Sequence, residues 1–560
     1  MTDEDRGPAT GAPTALDRWA WPVTLGAIVV LAAILRFVAL PTRGTWDADQ
    51  GHDMLVLTRF VNDGVWPLLG PPTSIGDFHH GALYYYLLAP AAWLGGGDPT
   101  VVVAEIALLG TIAVGLVASV ARSAAGIAAG VVAGLVMAVS ATAIDESTFL
   151  WNPNLIAFTS ALAVAAAWRA WTTRHARWWL LVAAAQAATM QCHVLGVVLL
   201  PALVAWLVAD LRRRTPAERR PVILALVGGV AIVALSYVPL LASELQTDFH
   251  ETRAAIDFLR GGGQAVETGP IVRLIFVSLR ILAWPLTGLL TDALAVGVVA
   301  AIGVIAAAVW RWRAAILPER PLARWIGATI LWACVSLGLA IAGLATVTPL
   351  PVDHYHAFVD PLVFLIVGLG LAALWRFVPP RPEAAEAETP VAPTPVAPTP
   401  VAPTPVAPTQ VEEGRTPTLT AGRIASVVIV GLLVVWNVVH WPPAVAADGG
   451  YPAAAVAADR IVAASGPGPM LVLSLPDFKT PEAYLFPLQR AGAAASMDPA
   501  ATPAPSTIVV VCDALFVDDC GGPAEDALIE ARPPSGSGAQ PALVDRFDAA
   551  PGRTISVYRQ

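Results

Sequence analysis

Apolar runs recurring along the whole chain constrain its fold more than any other feature. At about 17 to 22 residues, some a little shorter, they suit helices crossing roughly 30 Å of hydrocarbon, where every backbone polar group must be satisfied within the segment. They lie near residues 21–40, 101–121, 125–143, 155–171, 178–192, 194–210, 221–241, 292–310, 325–346, 357–377 and 423–441. The first is too long for a signal-peptide core and no small-residue cleavage site follows it, so it reads as a span. With the N-terminus inside, Arg122, the group Arg169, Arg174 and Arg177, the run Arg212 to Arg214 with Arg219 and Arg220, and the group Arg311, Arg313, Arg320 and Arg324 all fall on the cytoplasmic side. The expectation is a mainly α, multi-pass plasma-membrane protein of about 11 transmembrane helices, in contact with membrane lipids. The net charge of −9 is divided between two sides of a bilayer, and no stretch is basic enough for nucleic acid.

The chain divides by composition. Residues 1–20 form a cytoplasmic N-terminus, 21–378 a helical membrane unit with an outer loop at 41–100, and 423–441 the last span. Between them, residues 379–422 carry a tandem P-V-A-P-T repeat, which cannot bury a core and reads as a disordered cytoplasmic loop. Residues 442–560 change to short β-branched runs (MLVLSL, TIVVVC, TISVY) between Ala-rich stretches, the pattern of a small α/β domain outside the cytoplasm. Cys512 and Cys520 lie close enough in that tail to bridge, whereas Cys192 and Cys334 sit in apolar runs and read as packing residues. Leu83–Leu94 and residues 271–290, the latter with Arg273 and Arg280 on an apolar ribbon, read as interfacial helices.

Chemistry-bearing residues gather on the outer side. Asp47, Asp49 and Asp53 follow the first span, and a helix starting near Asp49 would put Asp49 and Asp53 on one face. A carboxylate desolvated at a membrane edge is a better base toward a hydroxyl, although Asp is also a common helix cap. Asp47-Ala48-Asp49 could supply hard oxygens to a divalent cation, but no further fixed ligand accompanies the pair and no metal set is assigned. His79 and His80 lead into the Tyr84–Tyr86 row. His193, His354 and His356 stand on other outer turns, and Arg253 and Arg260 lie in the outer loop 242–291, where arginine forks could hold phosphate oxygens. His79, His80, Tyr84, Tyr85, His193, Arg253, Arg260, His354 and His356 are therefore expected around one substrate- and phosphate-binding cleft.

The succession DQGHD (Asp49 to Asp53), LLGPPTSIG (Leu68 to Gly76), FHHGALYYYLLAP (Phe78 to Pro90), WNPN (Trp151 to Asn154), QCH (Gln191 to His193) and HYHAFVDP (His354 to Pro361) resembles bacterial polytopic glycosyltransferases of the GT-C superfamily. The branch is the one akin to dolichyl-phosphate-mannose protein mannosyltransferases and lipid A aminoarabinose transferases, and the resemblance covers residues 20 to 378. It implies a polyprenyl-phosphate sugar donor, a glycan, lipid or protein acceptor, and inversion at the anomeric carbon. It also implies an acidic base in the first outer loop, which falls on Asp49, with Asp47 or Asp53 assisting. His79, His80 or an arginine of loop 242–291 would then steady the departing phosphate. The family more often has Arg at the position of His52 and Pro at that of Ala82. A transporter or flippase of lipid-linked envelope components is the rival reading, as is a receptor or assembly factor acting through the C-terminal domain. A transporter would be expected to show inverted repeats and mid-span ionisable residues rather than acids and histidines gathered at one face.

Overall fold

Local signals set the helix ends. Asp98 caps the Pro99–Ala125 helix by accepting from the Thr100 amide at 2.8 Å, with proline at the first helical position and Gly126 at φ +84° closing it. The computed structural model describes residues 15–73, 77–262, 269–288, 293–313, 320–340, 355–376, 421–517, 519–531 and 540–560. The Pro-rich segment 379–420 and His354 therefore lie outside the described residues.

Among the described residues nine helices are long and apolar enough to cross a membrane. Eight coincide with expected spans: Trp19–Phe37, Pro99–Ala125, Asn152–Thr173, Val194–Arg212, Pro216–Gln246, Leu294–Arg313, Arg320–Leu339 and Ala421–Val439. The ninth, Pro270–Thr287, corrects the interfacial assignment of 271–290. Arg280 is 1% exposed within the bundle, so its charge does not mark a surface face. Three expected spans are shorter helices, Ile127–Val139, Arg177–Cys192 and Asp360–Arg376. Asp360–Arg376 is buried along nearly its whole length and packs against Ile127–Val139, Pro99–Ala125 and Leu294–Arg313. A helix so enclosed meets protein rather than lipid, and its length is not set by hydrocarbon thickness. The described residues are thus mostly helical and multi-pass, with nine helices long and apolar enough to span and three of the expected spans present as shorter helices.

The C-terminal residues form a five-stranded mixed sheet in the order Ala495–Ser496, Met470–Leu475, Thr507–Asp513, Arg553–Arg559, Ala542–Ala550. The first three strands are parallel and the last two antiparallel to their neighbours. Thr507–Asp513 is buried at every position, as a central strand covered on both faces should be. Cys512 and Cys520 are joined by a disulfide, and Cys192 and Cys334 are buried and free.

This sheet unit is not a separate bead. The helix Glu482–Arg490 packs directly on the helix Ala48–Asp63, and Trp46 donates through Nε1 to the Ala483 carbonyl at 2.7 Å while packing against Tyr451 and Phe486. Gly51 makes the approach possible. A β-carbon at that position would fall on the Glu482 carbonyl, well inside van der Waals contact.

Candidate active site

The helix Ala48–Asp63 organises the site, and its start is fixed by a capping box. Asp47 caps the first turn and its own amide donates to Gln50 Oε1 at 2.8 Å, while Gly64 at φ +69° ends the helix. This puts Asp49, His52 and Asp53 on the wall of a cavity of about 810 Å³. His80, Trp151, Asn152, His193 and Tyr355 line it from the membrane unit, and Phe478, Lys479, Thr480, Glu482, Met497 and Phe516 from the sheet unit. Residues hundreds of positions apart thus share one cleft.

The three carboxylates occupy different states. Asp47 is committed to structure, with Oδ2 2.6 Å from Arg553 Nη2 on the C-terminal sheet. A cation held between Asp47 and Asp49 would have to compete with that arginine. Among the described residues no cluster of three or more His, Cys, Asp or Glu is arranged to hold a metal. Asp53 is 2% exposed and accepts from the hydroxyls of Tyr84 at 2.8 Å and Tyr85 at 2.7 Å. Burial pushes its pKa up to about 7, against the opposing pull of His52 and the two tyrosine hydroxyls. Asp49 opens onto the cavity, and among the described residues no hydrogen bond or ion pair holds its carboxylate. Its pKa is raised by desolvation and then by Asp47, with His52 and Lys479 opposing.

The raised pKa of Asp53 has a consequence for stability. The folded protein holds this proton to about pH 7, whereas the unfolded chain releases it near pH 3.9, so the folded state binds more protons between those values. Stability contributed by the neutral carboxyl is therefore full below the unfolded value and lost as pH rises through the folded one. Asp53→Asn is expected to flatten the fall in thermal unfolding midpoint between about pH 4 and 7. An unchanged slope in detergent-solubilised protein would count against the assignment.

The imidazoles also divide. His80 and His193 line the cavity with ring centroids 5.0 Å apart, and His193 stacks on Tyr355 at 4.7 Å. Burial, then the neighbouring His79, lowers the pKa of His80 to about 4; burial, then His80 and His356, lowers that of His193 well below its ordinary value. Both rings are neutral at pH 7. His52 sits 2.9 Å from Glu482. Burial alone would lower its pKa, but the hydrogen bond and charge of Glu482, with Asp53 and Asp49, raise it.

Several expected site residues stand elsewhere. Tyr84 and Tyr85 are 0% and 1% exposed and serve as donors to Asp53 rather than as substrate contacts, because their helix, Leu83–Leu94, packs on Ala48–Asp63. His79 is turned to Glu251, donating its amide to Oε2 at 2.7 Å. Arg253 pairs with Asp248 at 2.9 Å on an exposed surface, and Arg260 is likewise exposed; neither lines the cavity. His356 is buried and acts on His193 without reaching the cavity wall. Sequence reasoning missed Glu482, Lys479 and Arg553 as members of the site, whereas Tyr355 stood within the HYHAFVDP motif. The only available signal was that Lys479 is the single lysine of the chain. Arg553 lines not this cavity but a second one of about 680 Å³, with Arg43, Asp145, Trp284, Trp436 and Trp441, so the Asp47–Arg553 pair stands between the two.

Residues 79–237 match the family model of dolichyl-phosphate-mannose-protein mannosyltransferases. No curated protein matches the sequence significantly. The fold is similar to that of ArnT from Cupriavidus metallidurans in the apo state, with a TM-score of 0.57 and 14% identity over 96% of this chain and 98% of that chain. It is likewise similar to the same protein bound to undecaprenyl phosphate, with a TM-score of 0.56 and 13% identity over 97% and 98% of the two chains. The chain therefore has an ArnT-like fold along nearly its whole length, and inside it residues 79–237 resemble the dolichyl-phosphate-mannose-protein mannosyltransferases.

Proposed function

We propose that the protein is an inverting glycosyltransferase that moves a sugar from a polyprenyl-phosphate donor to an acceptor hydroxyl on the outer face of the plasma membrane. The observation that carries the reading is the contrast among the three carboxylates: Asp47 is spent on Arg553, Asp53 on two tyrosines, and Asp49 faces the cavity with no protein partner among the described residues. A carboxylate so placed, with its pKa raised by burial, is suited to take a proton from a hydroxyl. The acceptor oxygen bonds to the anomeric carbon as the bond from that carbon to the donor phosphate oxygen breaks. The hydroxyl proton passes to Asp49, and the polyprenyl phosphate leaves with the electron pair. Attack from the face opposite the leaving group inverts the centre. Asp53, fixed by Tyr84 and Tyr85, holds the helix face and the local field around Asp49.

The undecaprenyl phosphate bound by the similar ArnT structure supports a lipid-phosphate donor here. An outer location is supported by the Cys512–Cys520 disulfide in the unit that covers the cavity, since disulfides persist outside the reducing cytoplasm. The test is reconstitution of the purified protein in liposomes with a panel of polyprenyl-phosphate sugars and an envelope extract. The expected result is release of polyprenyl phosphate with a product of opposite anomeric configuration. Retained configuration, or no consumption of any lipid-phosphate sugar, would count against the reading. Mass spectrometry of envelope glycans from cells lacking the protein is expected to reveal both the missing sugar and its acceptor.

A further inference from the structure

Transfer from a lipid phosphate leaves a phosphate whose negative charge must be compensated, and among the described residues no lysine or arginine of the membrane unit lines the cavity. His80 and His193 are neutral, His52 is engaged by Glu482, and Arg253 and Arg260 lie outside the cavity. Among the described residues Lys479 is the one lysine or arginine that lines the cavity, and its ammonium makes no ion pair. It rests over the ring of Phe516, 4.9 Å from the centroid.

Its position in the fold is equally telling. Lys479 follows the carboxyl end of strand Met470–Leu475, and Phe516 follows that of the adjacent parallel strand Thr507–Asp513. In open α/β sheets the loops beyond the carboxyl ends of parallel strands are where ligands are bound. Here both loops close over the cavity, with Phe478 and Phe516 in edge contact at 5.3 Å. Across from them His80 carries a buried Nδ1 with no hydrogen-bond partner among the described residues, which a phosphate oxygen would satisfy in the donor tautomer.

We infer that Lys479, supplied by the C-terminal sheet unit, is the residue that binds the phosphate of the lipid-linked donor, so that this unit completes the active site instead of only decorating it. The inference rests on the glycosyltransferase reading above. It also places the lipid chain on the membrane side of the cavity, with Phe478 and Phe516 shielding the phosphate from bulk water.

The experiment compares binding of undecaprenyl phosphate and undecaprenol to the full-length protein in nanodiscs, read by tryptophan fluorescence. The wild type is expected to prefer the phosphate at least tenfold. K479M and K479E are each expected to lose that preference, and K479R to keep it within about threefold. The side chain is half-buried and its loop is held through the Lys479 carbonyl, which accepts from Ser474 Oγ, so these variants should keep the wild-type unfolding midpoint. Inorganic phosphate is expected to displace the lipid only at far higher concentration, whereas equal competition would reject a site built for a lipid-borne phosphate. A preserved phosphate preference in both K479M and K479E overturns the role of Lys479 while leaving the enzyme reading intact. Absence of any preference in the wild type overturns both.

Discussion

Asp49→Asn is expected to lower sugar transfer by about 10²- to 10⁴-fold while expression and thermal unfolding remain those of the wild type. Among the described residues the carboxylate makes no hydrogen bond that the amide would break, and the strongest charge acting on it, Asp47, repels it against the attraction of His52 and Lys479. Removing the charge therefore relieves a repulsion and a desolvation cost that together outweigh the attractions lost. What disappears is the proton acceptor. The wild-type rate should rise with pH as Asp49 ionises, because only the charged form is a base, and D49N should lose that limb of the profile. Asp47→Asn gives the contrasting result, a lower unfolding midpoint through loss of the Arg553 ion pair, with activity falling in proportion to undocking. Near wild-type transfer by D49N in well-folded protein would remove Asp49 from the mechanism.

The second large effect is expected at a residue with no chemistry. Gly51→Val should abolish activity, and Gly51→Ala should reduce both activity and the unfolding midpoint, because any β-carbon there meets the Glu482–Ala483 backbone. Overpacking a close contact costs about 1–3 kcal/mol, and here the neighbour is main chain, which cannot step aside by rotating a side chain. The displaced helix Glu482–Arg490 carries Glu482 away from His52 and takes the preceding loop, with Lys479, off the cavity. Limited proteolysis should cut the sheet unit faster in G51V, while Gly64→Ala, at a helix end with open space around it, should act only through its left-handed backbone and leave docking intact. Wild-type activity and protease resistance in G51V would show that the two helices do not need this approach.

The extent to which these features could be read from the sequence follows the range of the interactions. Hydropathy alone located eight of the nine long spans, and the run LYYYLLAPAAWL gave the helix Leu83–Leu94 to its ends, because both signals are local. The i, i+4 spacing of Asp49 and Asp53 puts them on one helix face for the same reason. Pro270–Thr287 was misread because arginine on an apolar ribbon has the same pattern whether it faces headgroups or a protein interior, and only packing distinguishes the two. The roles of Tyr84 and Tyr85 depended on which way Leu83–Leu94 docks. Glu482, Lys479 and Arg553 were invisible as site residues because their partners, Asp47, Asp49 and His52, lie about four hundred to five hundred positions away, and no spacing rule connects them.

The ion pair between Asp47 and Arg553 orders events in time. Asp47 leaves the ribosome early and Arg553 about five hundred residues later, so during biogenesis the capping box of Asp47 and Gln50 can close locally while the ion pair to the sheet unit must wait. A nascent chain in that condition has Asp49 in place but lacks the sheet-unit residues that line the other side of the cavity. On the proposed function, the cleft that would receive a lipid-linked sugar is complete only once translation has passed Arg553 and the sheet unit has packed against the first outer loop.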